Sequence, residues 1–168
     1  MVDLPQIMDA NLSMSMGSQT VFPWLSLIVL LPIAGALIMP FLPTKESKNS
    51  NLPRNIALFI LLADFIIIVL AFAKLFDPSI EDLQLIERLQ WLPSIGLEWS
   101  LGVDGISAPL VVLSGLITFL SAAASWKVKQ KTRLYFALLL IQASAQALVF
   151  LSQDFLLFFL AWELELVP

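Results

Sequence analysis

The sequence has no cysteine and no histidine among its 168 residues. Those absences exclude disulfides, thiolate nucleophiles, iron–sulfur ligation and the usual zinc, haem and copper ligand sets. No Gly-rich strand-to-helix fingerprint for a dinucleotide is present either. No cofactor and no metal are therefore expected in this chain, and any redox centre it serves must sit in another one. Charge is also scarce, at 13% of residues against about a quarter in soluble domains. What fills the space is apolar: 59% of residues are hydrophobic and the mean hydropathy is +0.90. The expected fold class is all-α, a polytopic transmembrane helix bundle with the lipid bilayer as its solvent.

The apolar residues fall into runs close to the roughly 20 residues that cross about 30 Å of hydrocarbon. Five spanning helices are predicted, over 21–42, 55–76, 106–126, 134–151 and 155–168, the last incomplete. As a helix, residues 154–168 span only about 22 Å, so the helix is expected to continue in further sequence. The first run is not read as a secretory signal, because Asp3 and Asp9 precede it and no Lys or Arg does. Pro32 near its middle removes a backbone donor and implies a kink, read either as a packing feature or as a broken helix of the transporter kind.

Of nine basic residues, seven lie in two loops of equal parity: Lys45, Lys48 and Arg54, then Lys127, Lys129, Lys131 and Arg133. That side is expected to be cytoplasmic or its stromal equivalent, with the N-terminus outside. The acidic loop over 77–105 then faces outward, with Asp77, Glu81, Asp82, Glu87, Glu98 and Asp104. As a topology signal the basic run 127–133 needs no nucleic acid to explain it, and none is expected as a partner. Alternation in Gly96-Leu97-Glu98-Trp99-Ser100-Leu101 predicts a short outer hairpin with its Trp residues at headgroup level. Asp104-Gly105-Ile106-Ser107 reads as a turn and helix start, in which Asp104 or Ser107 caps backbone donors or Asp104 takes a direct catalytic role.

Candidate site residues are the acids inside the apolar runs. Glu163 lies nine residues beyond Asp154, about 13 Å along a helix and so near the bilayer midplane. Glu165 lies slightly deeper but is rotated by about 200°, which excludes a shared-proton dyad with Glu163. An ionised carboxylate at that depth costs at least about 2.5 to 3.5 kcal/mol, so a function is sought for it. Asp64, inside the second run, is the remaining intramembrane acid; it faces a polar bundle interior for structural or for transport reasons. No Lys or Arg occupies the middle of any run, so a cationic partner for Glu163 must come from further sequence or another subunit.

Three separated motifs resemble one family. Phe158-Phe159-Leu160-Ala161-Trp162-Glu163-Leu164-Glu165-Leu166-Val167-Pro168 resembles the fifth-helix motif of the antiporter-like subunits of complex I. Leu101-Gly102-Val103-Asp104-Gly105-Ile106-Ser107 resembles the family's entry to the third helix, and Phe22-Pro23-Trp24-Leu25 with Leu31-Pro32-Ile33 its N-terminus. Asp82-Leu83-Gln84-Leu85 upstream of Trp91 fits its outer loop. The second acid after Trp162-Glu163 resembles the photosynthetic NAD(P)H-quinone oxidoreductases of cyanobacteria and plastids.

The resemblance covers about residues 20–168 and leaves 1–20 as a non-family extension; the membrane domain is then 21–168. It implies the front part of a bundle of about fourteen helices with two inverted repeats of five. Glu163 falls on the family's proton-pathway glutamate, which pairs there with a lysine on a later helix. The implied function is redox-driven proton translocation in a thylakoid membrane. The implied partners are other membrane-arm subunits, with NAD(P)H or ferredoxin, iron–sulfur clusters and plastoquinone handled by partner subunits. The fourth helix departs from the pattern, with Ile141-Gln142-Ala143-Ser144-Ala145-Gln146-Ala147 in place of a Gly-rich stretch, which leaves open the respiratory form and the form associated with inorganic carbon uptake. Two alternatives remain at this stage, a subunit of a multisubunit cation/proton antiporter and a truncated structural membrane subunit.

Overall fold

A computed structural model describes residues 22–42, 51–92, 94, 96–128 and 130–168. The 1–20 extension, the loop with Lys45 and Lys48, and Lys129 lie outside the described residues. Five helices are described: α1 (Trp24–Ile38), α2 (Leu52–Leu75), α3 (Ser107–Ala124), α4 (Thr132–Leu151) and α5 (Phe155–Leu166). Between α2 and α3 run two antiparallel strands, β1 (Gln84–Leu92) and β2 (Leu97–Val103). With their terminal 3₁₀ turns, α1 to α4 form four segments long and apolar enough to cross a membrane. The twelve described residues of α5 are fewer than a span requires.

Local chemistry explains where the elements start and bend. α2 begins at Leu52, ahead of the apolar run, because Pro53 in its first turn loses no helical hydrogen bond there. Pro32 does the opposite inside α1, where the lost amide and the ring disturb the preceding turn. The Ser144 hydroxyl of α4 donates to the Val29 carbonyl in that turn, an extra partner of the kind that makes proline tolerable in a membrane helix. α1 and α4 are joined at that point.

α4 is the central helix and packs against each of the other four. At the end away from the hairpin, Gly35 brings α1 so close to α2 and α4 that a Cβ there would lie 2.6 Å from Ile60 Cδ1 and 3.3 Å from Leu140 Cδ1. Small residues at such crossings let backbones approach, and packing is what associates helices in lipid. Two apolar clusters result. One, toward the hairpin, contains Leu25, Ile28, Ile68, Val111, Leu148 and Leu157. The other contains Ala36, Leu61, Ala122, Phe136 and Leu140.

The loops sort by charge to opposite ends. The buried Arg54 guanidinium stacks over Trp126 at 3.5 Å from the ring centroid, joining the start of α2 to the turn after α3. At the same end, Arg133 Nη1 donates to the carbonyls of Pro40 and Leu42 at 3.1 and 3.0 Å, which satisfies acceptors beyond α1.

At the other end the hairpin grips the helix termini. The Glu87 carboxylate accepts from the amides of Leu25 and Ser26 at 2.7 and 2.9 Å and from the Ser26 hydroxyl at 2.6 Å. An anion is thereby held on the orphan donors at the N-terminus of α1. Trp99 Nε1 donates to the same hydroxyl at 2.8 Å, and its ring meets Trp91 edge-on. Leu85 bulges out of β1 with φ 55°, which breaks the register between Gln84 and Glu87. β2 also holds the α4–α5 turn, since Gln153 N donates to Ser100 O at 2.8 Å and Leu101 forms a bridge with Ser152.

Candidate functional site

The four candidate acids do not converge on one place. Asp104 stands at the hairpin end and caps α3: its Oδ1 accepts from the Ser107 and Ile106 amides at 2.7 and 3.0 Å, and its own amide donates to Ser107 Oγ at 3.0 Å. The Ser107 amide beside it, supported by the Ile106 amide and the Ser107 hydroxyl, holds the Asp104 carboxyl below the usual carboxylate range. Each of these contacts serves the helix start. Asp154 plays the same part for α5, with Oδ1 accepting from Leu157 N at 2.8 Å.

Glu163 and Glu165 lie on different faces of α5. Leu157 and Ala161 are the buried residues of this helix, and Glu165 continues their spacing of four, so it is half-buried on the packed side. Glu163 continues the other row, after Phe155 and Phe159, and is exposed. With Phe155, Phe158, Phe159 and Trp162 it lines an open groove on the free side of the bundle. Four aromatic residues share the groove with the carboxylate, and no basic residue is among those lining it. A group placed in this groove by another helix would meet Glu163 directly.

Asp64 is buried inside the bundle, 5% exposed, and its Oδ1 has no hydrogen-bond partner among the described residues. On α2 it takes a place in the packed stripe Ala57, Leu61, Ile68 and Ala71, between the two apolar clusters. α3 and α4 also carry polar residues between those clusters: Thr118, whose hydroxyl donates to Ser114 O at 2.8 Å and lies 3.4 Å from Gln146 Oε1, and the buried Ser144. Sequence reading singled out Asp64 but missed this layer. Its signal was available as Ser114 with Thr118 and Gln142 with Gln146, each pair four residues apart within an otherwise apolar run. Among the described residues no group of three or more carboxylates is placed to hold a metal ion.

Four helices long and apolar enough to cross a membrane, one of them with an acid buried in the bundle interior, define the front of a polytopic membrane protein. Comparison with known proteins gives the particular family. No family model matches the chain. NAD(P)H-quinone oxidoreductase chain 4 of Prochlorococcus marinus (strain NATL1A) is 54% identical over 151 residues, which is 89% of this chain and 28% of that relative. The chain 4 1 protein of Synechococcus elongatus is 51% identical over 88% of this chain and 27% of its own length. The chain 4 2 protein of Microcystis aeruginosa is 50% identical, again over 88% of this chain and 26% of its own length. Over the length it spans, this chain belongs to the NAD(P)H-quinone oxidoreductase chain 4 family and corresponds to an N-terminal part of it. It spans about a quarter of the length of the curated relatives it matches.

Proposed function

We propose that the chain is part of a membrane-arm subunit of a complex I type NAD(P)H- or ferredoxin-quinone oxidoreductase in a thylakoid membrane, and that Glu163 carries protons across it. The observation behind this reading is the exposed position of Glu163 on α5, beside the aromatic groove and nine residues, about 13 Å of helix, beyond the start of that helix at Asp154. A carboxylate cannot stay ionised there against lipid without a cost of several kcal/mol. A cation brought into the aromatic groove by a later helix removes that cost, and withdrawing the cation favours uptake of a proton by the carboxyl. Electron transfer in partner subunits, which hold the quinone, nucleotide or ferredoxin and iron–sulfur clusters, drives the alternation. This chain contributes the acid, its depth and its dry surroundings.

The test compares Glu163→Gln with Glu165→Gln in membranes carrying equal amounts of assembled complex. Proton pumping is followed with a pH-gradient dye during quinone reduction. Glu163→Gln keeps size and hydrogen bonding but removes the exchangeable charge, so pumping collapses while assembly survives. Glu165→Gln, on the packed row, is milder and acts through stability. Normal pumping in Glu163→Gln, or a deeper loss in Glu165→Gln, assigns the role to the wrong residue.

A further inference from the structure

Asp64 has no part in the proposed role of Glu163 and stands on a different helix, yet it is the most deeply buried carboxyl described. Its depth can be read from the packing of antiparallel neighbours. Gly115 of α3 faces Ile68, whose Cδ1 would lie 2.9 Å from a Cβ there. Asp64 is one turn further along from Ile68, and Thr118 is nearly one turn further along from Gly115 in the same direction, so the two are level. Thr118 in turn meets Gln146 of α4, and Ser144 meets Val29 of α1, a turn before Pro32. All four helices thus contribute a polar atom or a disturbed turn to one layer between the two apolar clusters.

Among the described residues no counter-charge reaches that layer. α2 packs against α1, α3 and α4. Neither α1 nor α3 contains a titratable residue, and α4 contains only Arg133 and Tyr135, at its far end about 14 to 20 Å from Ser144 and Gln146. On α2 itself Arg54 and Lys74 each stand ten residues from Asp64, about 15 Å along the axis. An ionised Asp64 would be a buried, unpaired charge with an unsatisfied oxygen, whereas the neutral acid is a group such an interior tolerates. A hard metal cation is a poor occupant, since it needs about six oxygen ligands and this layer offers one carboxylate, a hydroxyl already committed to Ser114 and an amide.

We propose that Asp64, with the Thr118 and Gln146 layer around it, is a second proton-binding site of the membrane domain, loaded as the neutral acid and unloaded during turnover. The loading half stands on the geometry alone; the unloading half rests on the reading of this subunit as part of a pump. The step makes and breaks one O–H bond: on loading, the carboxylate takes a proton from hydronium and leaves water, and on unloading the acid returns the proton to water as the carboxylate re-forms. No oxidant, reductant or metal is involved.

The test is infrared spectroscopy of the intact oxidoreductase, with aspartate isotopically labelled at the carboxyl carbon. A neutral-acid carbonyl band is expected in the wild type, shifted by deuterium exchange, diminished when reductant starts turnover, and lost in Asp64→Asn. Asp64→Glu keeps an acid but removes the label, so it deletes the labelled band even if the Asn variant does not assemble. No band difference between wild type and these variants overturns the proposal, because Asp64 is then ionised. A band that neither exchanges nor responds to turnover also overturns it, leaving a static buried carboxyl. Loss of the band on adding sodium at fixed pH replaces the proton by a metal cation and overturns it as well. Glu163→Gln in the same preparations separates the two readings: normal pumping there with a turnover-sensitive Asp64 band defeats only the role given to Glu163.

Discussion

Glu87 on β1 holds Ser26 on α1 through both the backbone amide and the hydroxyl, at 2.9 and 2.6 Å. The two residues are 61 apart in the chain, and the contact fixes the hairpin to the first helix. Glu87→Gln retains one acceptor but turns an amide N–H₂ toward donors and removes the charge. The expected cost is about 1.5–3 kcal/mol, the range for hydrogen bonds to a charged group. It is checked by the thermal midpoint and the amount of assembled complex. An unchanged midpoint shows that the clamp contributes nothing.

Labelling from the two faces of the membrane tests the topology. Arg54 over Trp126 and Arg133 on Pro40 and Leu42 put the basic loops at one end of the bundle; the hairpin stands at the other. By the positive-inside rule the basic end is expected to face the cytoplasm or stroma. Single cysteines at the exposed Gln130 and Ser94 should react with an impermeant thiol reagent from opposite faces, Gln130 from the cytoplasmic or stromal one. Reaction of both from one face contradicts the arrangement.

Asp104 gives the start of α3 an acid sensitivity of definite sign. Its folded-state carboxyl lies below the usual value, chiefly because of the Ser107 amide. The stability it contributes is therefore present above the unfolded-state value, about 3.9, and is lost as pH falls through the lower folded value. In acid titrations followed by tryptophan fluorescence, the wild type should lose stability below about pH 4 more steeply than Asp104→Asn. Superimposable acid limbs would remove the cap from the account.

The helices were legible because nothing but a membrane span explains apolar runs of this length. The hairpin was legible from the alternation after Gly96, where φ is 70° and the turn needs a residue free of Cβ strain. The clamp of Glu87 on Ser26 was not, since no local pattern links a strand acid to a helix start 61 residues earlier. For α5 the rotation of about 200° separated Glu163 from Glu165, but it did not say which face packs. Ala161 was the missing clue: a small residue four from Leu157 marks the side where another helix comes close. Asp64 was visible as an acid in a span, but its neighbours come from three helices whose alignment depends on Gly35, Gly115 and Pro32 together.

The grip of β2 on the turn before α5 makes the hairpin an anchor for that helix. Backbone bonds from Ser100 and Leu101 to Gln153 and Ser152 register the start of α5 against a strand that lies at the end of the bundle. The helix that carries both Glu163 and Glu165 therefore starts where a strand outside the bundle holds it, so a change in the hairpin can displace both carboxyls without touching either.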